Sequence, residues 1–498
     1  MQQLSKLLKN SLDIDCNIDC SITDLILNSQ KVTEGALFFA CVGSASDGRK
    51  FIDEAIARGA AAILCEKDHQ YTTAEQREYQ GKGIPIIPIE ELHKKVGFIA
   101  AEFYGHPSKS LRVIGVTGTN GKTSCCHFIA HALQSLGYRT AIIGTVGNGL
   151  YGHLHIASHT TPNSIELQKM LADFKSQAVE TVAMEVSSHG LDQGRLNGVN
   201  FDVAIFTNLT RDHLDYHHSM EAYGEAKAKL FNFPDLKYTV INMDDEFGRR
   251  LLDLPRSSKQ YGYSASGRLA NGDNIAVIRA HDVHLSMQGI TAAVHTPWGD
   301  GVLHSKLLGR FNLSNLLATM TTLGIYGIPL SQSLKALTEL DTVSGRMQVL
   351  GGHGKPYVVI DYAHTPDALR QVISTLREFC ENEIWCVFGC GGNRDQGKRP
   401  LMGEIAESYV DHIVITNDNP RHENPLTIIS DILSGMKQPA AAIIETDRER
   451  AIYHAISCAN RDDIILIAGK GHEAYQQIND EKKPFSDYMI AQLALAKI

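Results

Sequence analysis

At 498 residues the chain is too long for a single hydrophobic core, and a norm of roughly 150 residues per domain implies about three domains. Hydrophobic residues make up 43% and charged residues 21%, which excludes a disordered or fibrous chain. A net charge of −9 leaves no basic footprint for a polynucleotide, and neither a membrane span of roughly 18 apolar residues nor a signal peptide stands in the sequence, so a cytoplasmic enzyme without nucleic-acid or membrane partner is expected.

The N-terminal stretch alternates apolar runs at 36–42, 61–65 and 84–89 with a helix over 51–58, which predicts a small α/β domain, residues 1–92. A helix over 92–104 and the turn His106-Pro107-Ser108 lead to Val113-Ile114-Gly115-Val116-Thr117-Gly118-Thr119-Asn120-Gly121-Lys122-Thr123. A Gly-rich turn between an apolar strand and a helix points backbone N–H groups at a bound phosphate, with Lys122 to meet the β/γ oxygens and the Thr123 hydroxyl to meet Mg²⁺. The usual pattern wants glycine where Val116 stands, so this is a variant with its first glycines at Gly115 and Gly118. An ordinary glycine-containing β–α turn is the plain alternative.

Strands at 140–143, 181–186, 203–208 and 238–241 and helices at 164–174 and 222–230 continue the alternation. Thr/Val-alternating segments between 261 and 304 predict an antiparallel annex, and a helix begins at 308–312. Residues 93–341 are therefore expected to form a central domain with a parallel core sheet. After Ser344-Gly345-Arg346 the alternation restarts, with strands at 357–360, 383–388, 412–416, 441–444 and 463–467 predicting a Rossmann-like domain over 342–498. It lacks G-x-G-x-x-G, so no dinucleotide is expected. Ten cysteines without paired CxxC spacing read as reduced thiols rather than zinc ligands.

Polar residues cluster where these strands end, which is where open α/β sheets bind ligands. Glu185, followed by Ser187-Ser188-His189, is a candidate Mg²⁺ ligand or a solvated loop residue; His213, in Asn208-Leu209-Thr210-Arg211-Asp212-His213, is a second candidate or a structural histidine. Lys227 reads as a helical surface lysine. Arg346 and Asp361, the latter in Asp361-Tyr362-Ala363-His364, would act on the nucleotide only if the third domain approaches it. Three loops carrying Arg394, Asp418-Asn419-Pro420-Arg421 and Gly469-Lys470-Gly471-His472-Glu473 suit a zwitterion, the guanidiniums for carboxylate and Glu473 for ammonium; independent polar loops are the alternative.

Taken together, the phosphate loop, Met184-Glu185-Val186-Ser187-Ser188-His189-Gly190-Leu191, residues 207–213 and Asp361-Tyr362-Ala363-His364 resemble the Mur ligases of peptidoglycan precursor synthesis, in order and over nearly the whole chain. The resemblance implies an α/β protein of three domains, with a central P-loop ATPase domain and a Rossmann-like C-terminal domain. It implies ATP on Gly118, Thr119, Asn120, Gly121, Lys122, Thr123, Asn312, Asn315, Arg346 and Asp361. It also implies two Mg²⁺ sites, one on Thr123 and Glu185 and one on His213 and Glu185, with Lys227 carbamylated into a further metal ligand. Ser29, Asp47, Gly48 and Arg49 match the uridine-binding region, and Thr160, Thr161, Ser187, Gln193 and Arg195 match loops that hold the peptide end. Asn28 and Gln30 replace the more usual Asp and Arg beside Ser29.

Asp418, Asn419, Pro420 and Arg421 resemble the signature of members that take meso-diaminopimelate, with Arg394, Gly469 and Glu473 completing the amino-acid site. The implied reaction joins that amino acid to UDP-N-acetylmuramoyl-L-Ala-D-Glu through an acyl phosphate, in a monomeric enzyme. A lysine-adding member, a folylpolyglutamate synthetase and a nucleotide-dependent switch are the rival readings.

Overall fold

The computed structural model describes residues 1–43, 46–67, 83–157, 159–269, 275–286, 288–352 and 354–498. The chain divides into two compact units, one of residues 1–115, 138–204 and 229–237 and the other of residues 116–137, 205–228 and 238–498.

In the first unit, strands Asp24–Ile26, Ala36–Ala40, Ala62–Lys67 and Ile86–Glu90 form a four-stranded parallel sheet in chain order. Helices Leu4–Leu12 and Leu92–Phe103 cover it: Leu4, Leu7 and Leu8, spaced for one helical face, are buried with Leu37, Leu64, Val96 and Ile99. The helix Leu4–Leu12 and the hairpin Asn148–Leu150/His153–His155 are absent from the sequence-based expectation. Thr140–Ile143 pairs in parallel with Thr181–Glu185, all nine residues being buried.

In the second unit, Tyr238–Asn242, Lys259–Ser264 and Ala276–Ser286 pair in parallel, and Gly289–Thr296 and Gly299–Ser305 close the sheet antiparallel. The expected annex is thus only partly antiparallel, and its strands are long: Thr/Val alternation fixes which face is buried but not the partner's direction. Helices Lys122–Ser135 and Arg310–Ile325 pack on one another.

The remainder of this unit is a six-stranded sheet in the order Gln348–Gly351, Tyr357–Asp361, Ile464–Ala468, Ile384–Phe388, His412–Ile415, Ile443–Ile444. All pairs are parallel except the first, an edge strand that the sequence did not announce. Alternation along each strand feeds two cores: Val359, Cys386, Phe388 and Leu466 face one, and Val358, Ile360, Val387 and Ile467 the other. Helices Pro366–Phe379, Lys398–Tyr409 and Pro425–Leu433 cover the first core, and Arg448–Cys458 and Asp487–Leu495 the second. The loops at 362–364, 389–395, 416–421 and 469–473 therefore leave a single edge, the C-terminal ends of parallel strands.

Candidate active site

The phosphate loop is held open by backbone geometry. Gly118 (φ +145°) and Gly121 (φ +87°) adopt conformations suited to glycine, and a Cβ on Gly118 would stand 1.8 Å from the Thr207 hydroxyl. Asn208 locks the loop from outside: its Oδ1 accepts the Asn120 N–H at 2.9 Å, its amide donates to the Asn120 carbonyl at 3.1 Å, and its own carbonyl accepts the Thr119 N–H at 2.8 Å. Lys122 Nζ donates to the Gly118 and Thr119 carbonyls at 2.9 and 2.8 Å, lying along the turn that a phosphate would face.

Beside the loop, a cavity of about 580 Å³ is bounded by Asn120, Gly121, Asn312, Asn315, Arg346 and Asp361 among others, a volume suited to a nucleotide. Six residues expected at the nucleotide thus line one space. Arg346 donates to the Thr123 hydroxyl at 3.2 Å and lies over the Tyr362 ring at 4.6 Å, while its buried Nε has no hydrogen-bond partner. Burial pushes the Asp361 carboxyl up, with Arg346 and the Met347 N–H (2.8 Å) acting against it. Asp361 ends its strand rather than following it.

Lys227 is not the surface lysine that its neighbours suggested. It is 1% exposed, its Nζ donates to the Gly118 carbonyl at 2.8 Å, and it lies 4.3 Å from the centre of the Tyr223 ring. Burial, then repulsion from Lys122, drive its ammonium well below the usual lysine range against the pull of Asp212. A neutral amine is the form that adds to CO₂. Tyr223 also contacts the Thr119 hydroxyl (3.3 Å) and the His213 ring edge-on (centroids 6.0 Å apart), tying loop, lysine and histidine together.

His213 stands at φ +55° beside Asp212, Nε2 to Oδ2 3.4 Å. Burial raises the Asp212 carboxyl most, yet His213, His364 (3.8 Å) and Lys398 (4.0 Å) together hold it well below the usual carboxylate range. Tyr223, Asp212, His364, Lys398 and Asn208 escaped assignment from sequence. For Tyr223 and Lys227 the i, i+4 spacing on helix Met220–Ala228 was the available signal.

The loops at the sheet edge converge. Asn419 donates to Glu473 at 2.8 Å, and Lys470, fully buried, donates to Asn419 Oδ1 at 3.0 Å and to Glu473 at 2.8 Å. Gly469 (φ +114°) is required because a Cβ would meet an Asp418 carboxylate oxygen at 2.6 Å. Arg421 Nη1 donates to the Gly392 carbonyl at 2.8 Å, and Arg394 Nη1 to the Asn393 carbonyl at 3.1 Å. Burial and then the nearby Arg394 charge lower the Arg421 guanidinium's proton affinity, outweighing Asp418 and Glu473: two like charges share this corner. The hairpin Tyr475–Ile478/Glu481–Pro484 straps the 418–421 loop from behind. Arg421 N–H donates to the Gln477 carbonyl at 3.2 Å, Asn479 N–H to the Arg421 carbonyl at 2.8 Å, and Gln477 N–H to Asn419 Oδ1 at 2.8 Å.

Residues 21–104 match the Mur ligase family catalytic domain, 116–323 the Mur ligase middle domain, and 345–471 the Mur ligase glutamate ligase domain. The UDP-N-acetylmuramoyl-L-alanyl-D-glutamate--2,6-diaminopimelate ligase of Coxiella burnetii is 47% identical over 478 residues, 96% of each chain. The chain belongs to the Mur ligase family. A solved structure of a ligase of the same name is 35% identical at a TM-score of 0.70, covering 100% of this chain and 99% of that one. A folylpolyglutamate synthase from Mycobacterium tuberculosis shares the fold at a TM-score of 0.61 but only 17% identity, over 76% of this chain and 92% of its own.

The remaining Mur ligase positions lie in the first unit. Glu185 is 1% exposed and not a solvated loop residue: its carboxylate accepts the Thr145 N–H at 2.7 Å and hydroxyl at 3.1 Å. Gly144 makes room for it, since a Cβ there would lie 2.4 Å from Glu185 Oε1. Thr161 bridges the Glu185 carbonyl (2.9 Å) and the Ser187 N–H (3.0 Å), Arg195 donates to the Thr161 carbonyl (2.8 Å) and to Gln193 (2.9 and 2.6 Å), and Thr160 meets Thr145 (3.1 Å). These residues form one cluster with Glu185. Ser29 donates to Glu54 at 2.7 Å, Asp47 and Arg49 pair at 2.8 Å, and the helix Ile52–Ala57 touches both segments. A Cβ on Gly48 would stand 2.6 Å from the Cys41 carbonyl.

Proposed function

We propose that the chain is an ATP-dependent ligase that joins meso-2,6-diaminopimelate to UDP-N-acetylmuramoyl-L-alanyl-D-glutamate in peptidoglycan precursor synthesis, acting as a cytoplasmic monomer. The observation that carries the choice of amino acid is the convergence of Arg394 and Arg421 at Gly391, on the same sheet edge as Asn419 and its hydrogen-bond acceptor Glu473. A zwitterion with one further carboxylate offsets both positive charges; lysine lacks that carboxylate and leaves the half-buried Arg421 guanidinium without an anionic ligand.

In this reading residues 1–92 with Ser29, Asp47, Gly48 and Arg49 hold the UDP-sugar, residues 93–341 hold ATP, and residues 342–498 hold the incoming amino acid. Thr160, Thr161, Ser187, Gln193 and Arg195 hold the peptide end. Lys122 and the N–H groups of the loop bind the ATP phosphates, and Arg346 brings its buried, unpartnered Nε to the nucleotide. The acceptor's D-Glu carboxylate attacks the γ-phosphate to give an acyl phosphate and ADP, and the amine then displaces phosphate to leave the amide.

The donor types in the second unit suit Mg²⁺, a hydroxyl at Thr123, an imidazole at His213, and Lys227, whose depressed basicity suits conversion to a carbamate; in the first unit Glu185 offers a buried carboxylate for the same ion class. When bound in its two sites, Mg²⁺ offsets the charge of the transferring phosphoryl group. Carbamate formation adds the amine nitrogen to CO₂ and releases one proton.

The test is phosphate release from ATP with the UDP-dipeptide and Mg²⁺, comparing meso-diaminopimelate with L-lysine. Release dependent on diaminopimelate supports the reading; a preference for lysine overturns the amino-acid assignment, and release indifferent to either amine overturns the ligase.

A further inference from the structure

Arg399, on helix Lys398–Tyr409, has a side chain with no exposure. Its Nη2 donates to both oxygens of Glu423 at 3.0 and 2.9 Å and to the Gly391 carbonyl at 3.4 Å, and its Nη1 donates to Asp431 at 2.8 Å. Glu423 also accepts the Asn393 N–H, so one carboxylate joins the loop bearing Arg394 to the loop bearing Arg421. The loops are pressed together there: a Cβ on Gly392 would lie 1.9 Å from the Pro420 carbonyl, and Gly392 N–H donates to the Asn419 carbonyl at 2.9 Å. Asn393 and Arg421 both stand in the left-handed region, at φ +52° and +50°.

Glu423 stands two residues from Arg421 and bonds the residue before Arg394, while Arg394 and Arg421 both come close to Gly391, so its carboxylate sits between the two segments that carry these guanidiniums. It is kept from pairing with them, because both of its oxygens are taken by Arg399. We infer that Arg399 is a positioning residue for amino-acid selectivity: by sequestering Glu423 it keeps that carboxylate off Arg394 and Arg421 and leaves both available to the ligand's distal carboxylate. Without Arg399, Glu423 turns to those guanidiniums and competes with the ligand as an internal carboxylate. This rests on the amino-acid reading above and deepens it.

The test measures KM for each of the three substrates in Arg399→Met, Glu423→Gln and the double variant, with a thermal melt of each. Arg399→Met should raise the KM for meso-diaminopimelate about tenfold while leaving those for ATP and the UDP-dipeptide within about twofold, and Glu423→Gln in the same chain should restore most of the loss. A double variant as impaired as Arg399→Met, or an equal rise in all three constants, overturns the inference in favour of a purely structural ion pair. If Arg399→Met fails to melt cooperatively, Glu423→Gln alone decides: an unchanged or lower KM for diaminopimelate supports the inference, and a rise of about tenfold overturns it. A wild-type enzyme that ignores diaminopimelate would sink the amino-acid reading instead, before any variant is compared.

Discussion

The phosphate loop and the loops proposed to take the amino acid stand at the ends of parallel strands but are built by opposite means. The first uses main chain from one contiguous stretch, with glycines at φ +145° and +87° and Asn208 as an outside brace. The second uses side chains from three separated loops, pinned by Lys470, Arg399 and the strap hairpin. Main-chain recognition is nearly indifferent to which residue stands at each position but intolerant of any change in backbone shape. Side-chain recognition has the reverse sensitivities, and that is the arrangement expected where specificity differs between relatives but phosphate chemistry does not.

Substitutions at the two sites should separate these sensitivities. The largest effect is expected for Lys122→Ala, which removes the cation proposed to meet the phosphates: kcat for phosphate release should fall about a thousandfold with the melting temperature nearly unchanged. Arg421→Ala should raise the KM for meso-diaminopimelate about a hundredfold and narrow its advantage over lysine, with the KM for ATP unmoved, as read from initial rates with each amine. Gly118→Ala tests backbone shape directly, since its Cβ would collide with Thr207; a loss of about 2 kcal/mol in denaturant unfolding is expected together with weakened nucleotide binding.

The smallest effect is a pH dependence. Burial, and then the Arg346 charge, lower His127 and His472 to about 4 from the ordinary value near 6.5. Between these values the unfolded chain binds protons that the folded chain refuses, so stability should fall as pH drops from about 6.5 toward 4 and level off below. Denaturant midpoints across that range should show the slope, and His472→Asn should flatten it.

The contiguous site was legible because strand, glycines, Lys122 and Thr123 follow each other in the order in which they act. The resemblance supplied the scattered positions, and the structure adds what spacing could not carry. Lys227 looked solvated because its helix has charged neighbours at Glu221 and Glu225, yet Tyr223, one turn earlier, lies on the buried face with it. Asp212 was lost inside a run of polar residues; only folding brings His364 and Lys398, more than 150 residues away, against it. Arg399 sits on a helix whose sequence gives no reason to expect a buried cation. Edge strand Gln348–Gly351 alternates half-buried and exposed positions, a pattern too weak to stand out.

The strap hairpin has a consequence for how this scaffold can change. Because the peptide groups on both sides of residue 421 are clasped by Gln477 and Asn479, the socket is held by main chain and not by the side chain at 421. A lineage could therefore trade one third residue of the stem peptide for another by a single codon, without disturbing the distance over which the amide is made. The trade is filtered first by handedness: at φ +50° asparagine, aspartate and glycine are admitted readily, and valine, isoleucine and threonine are turned away before their chemistry is consulted.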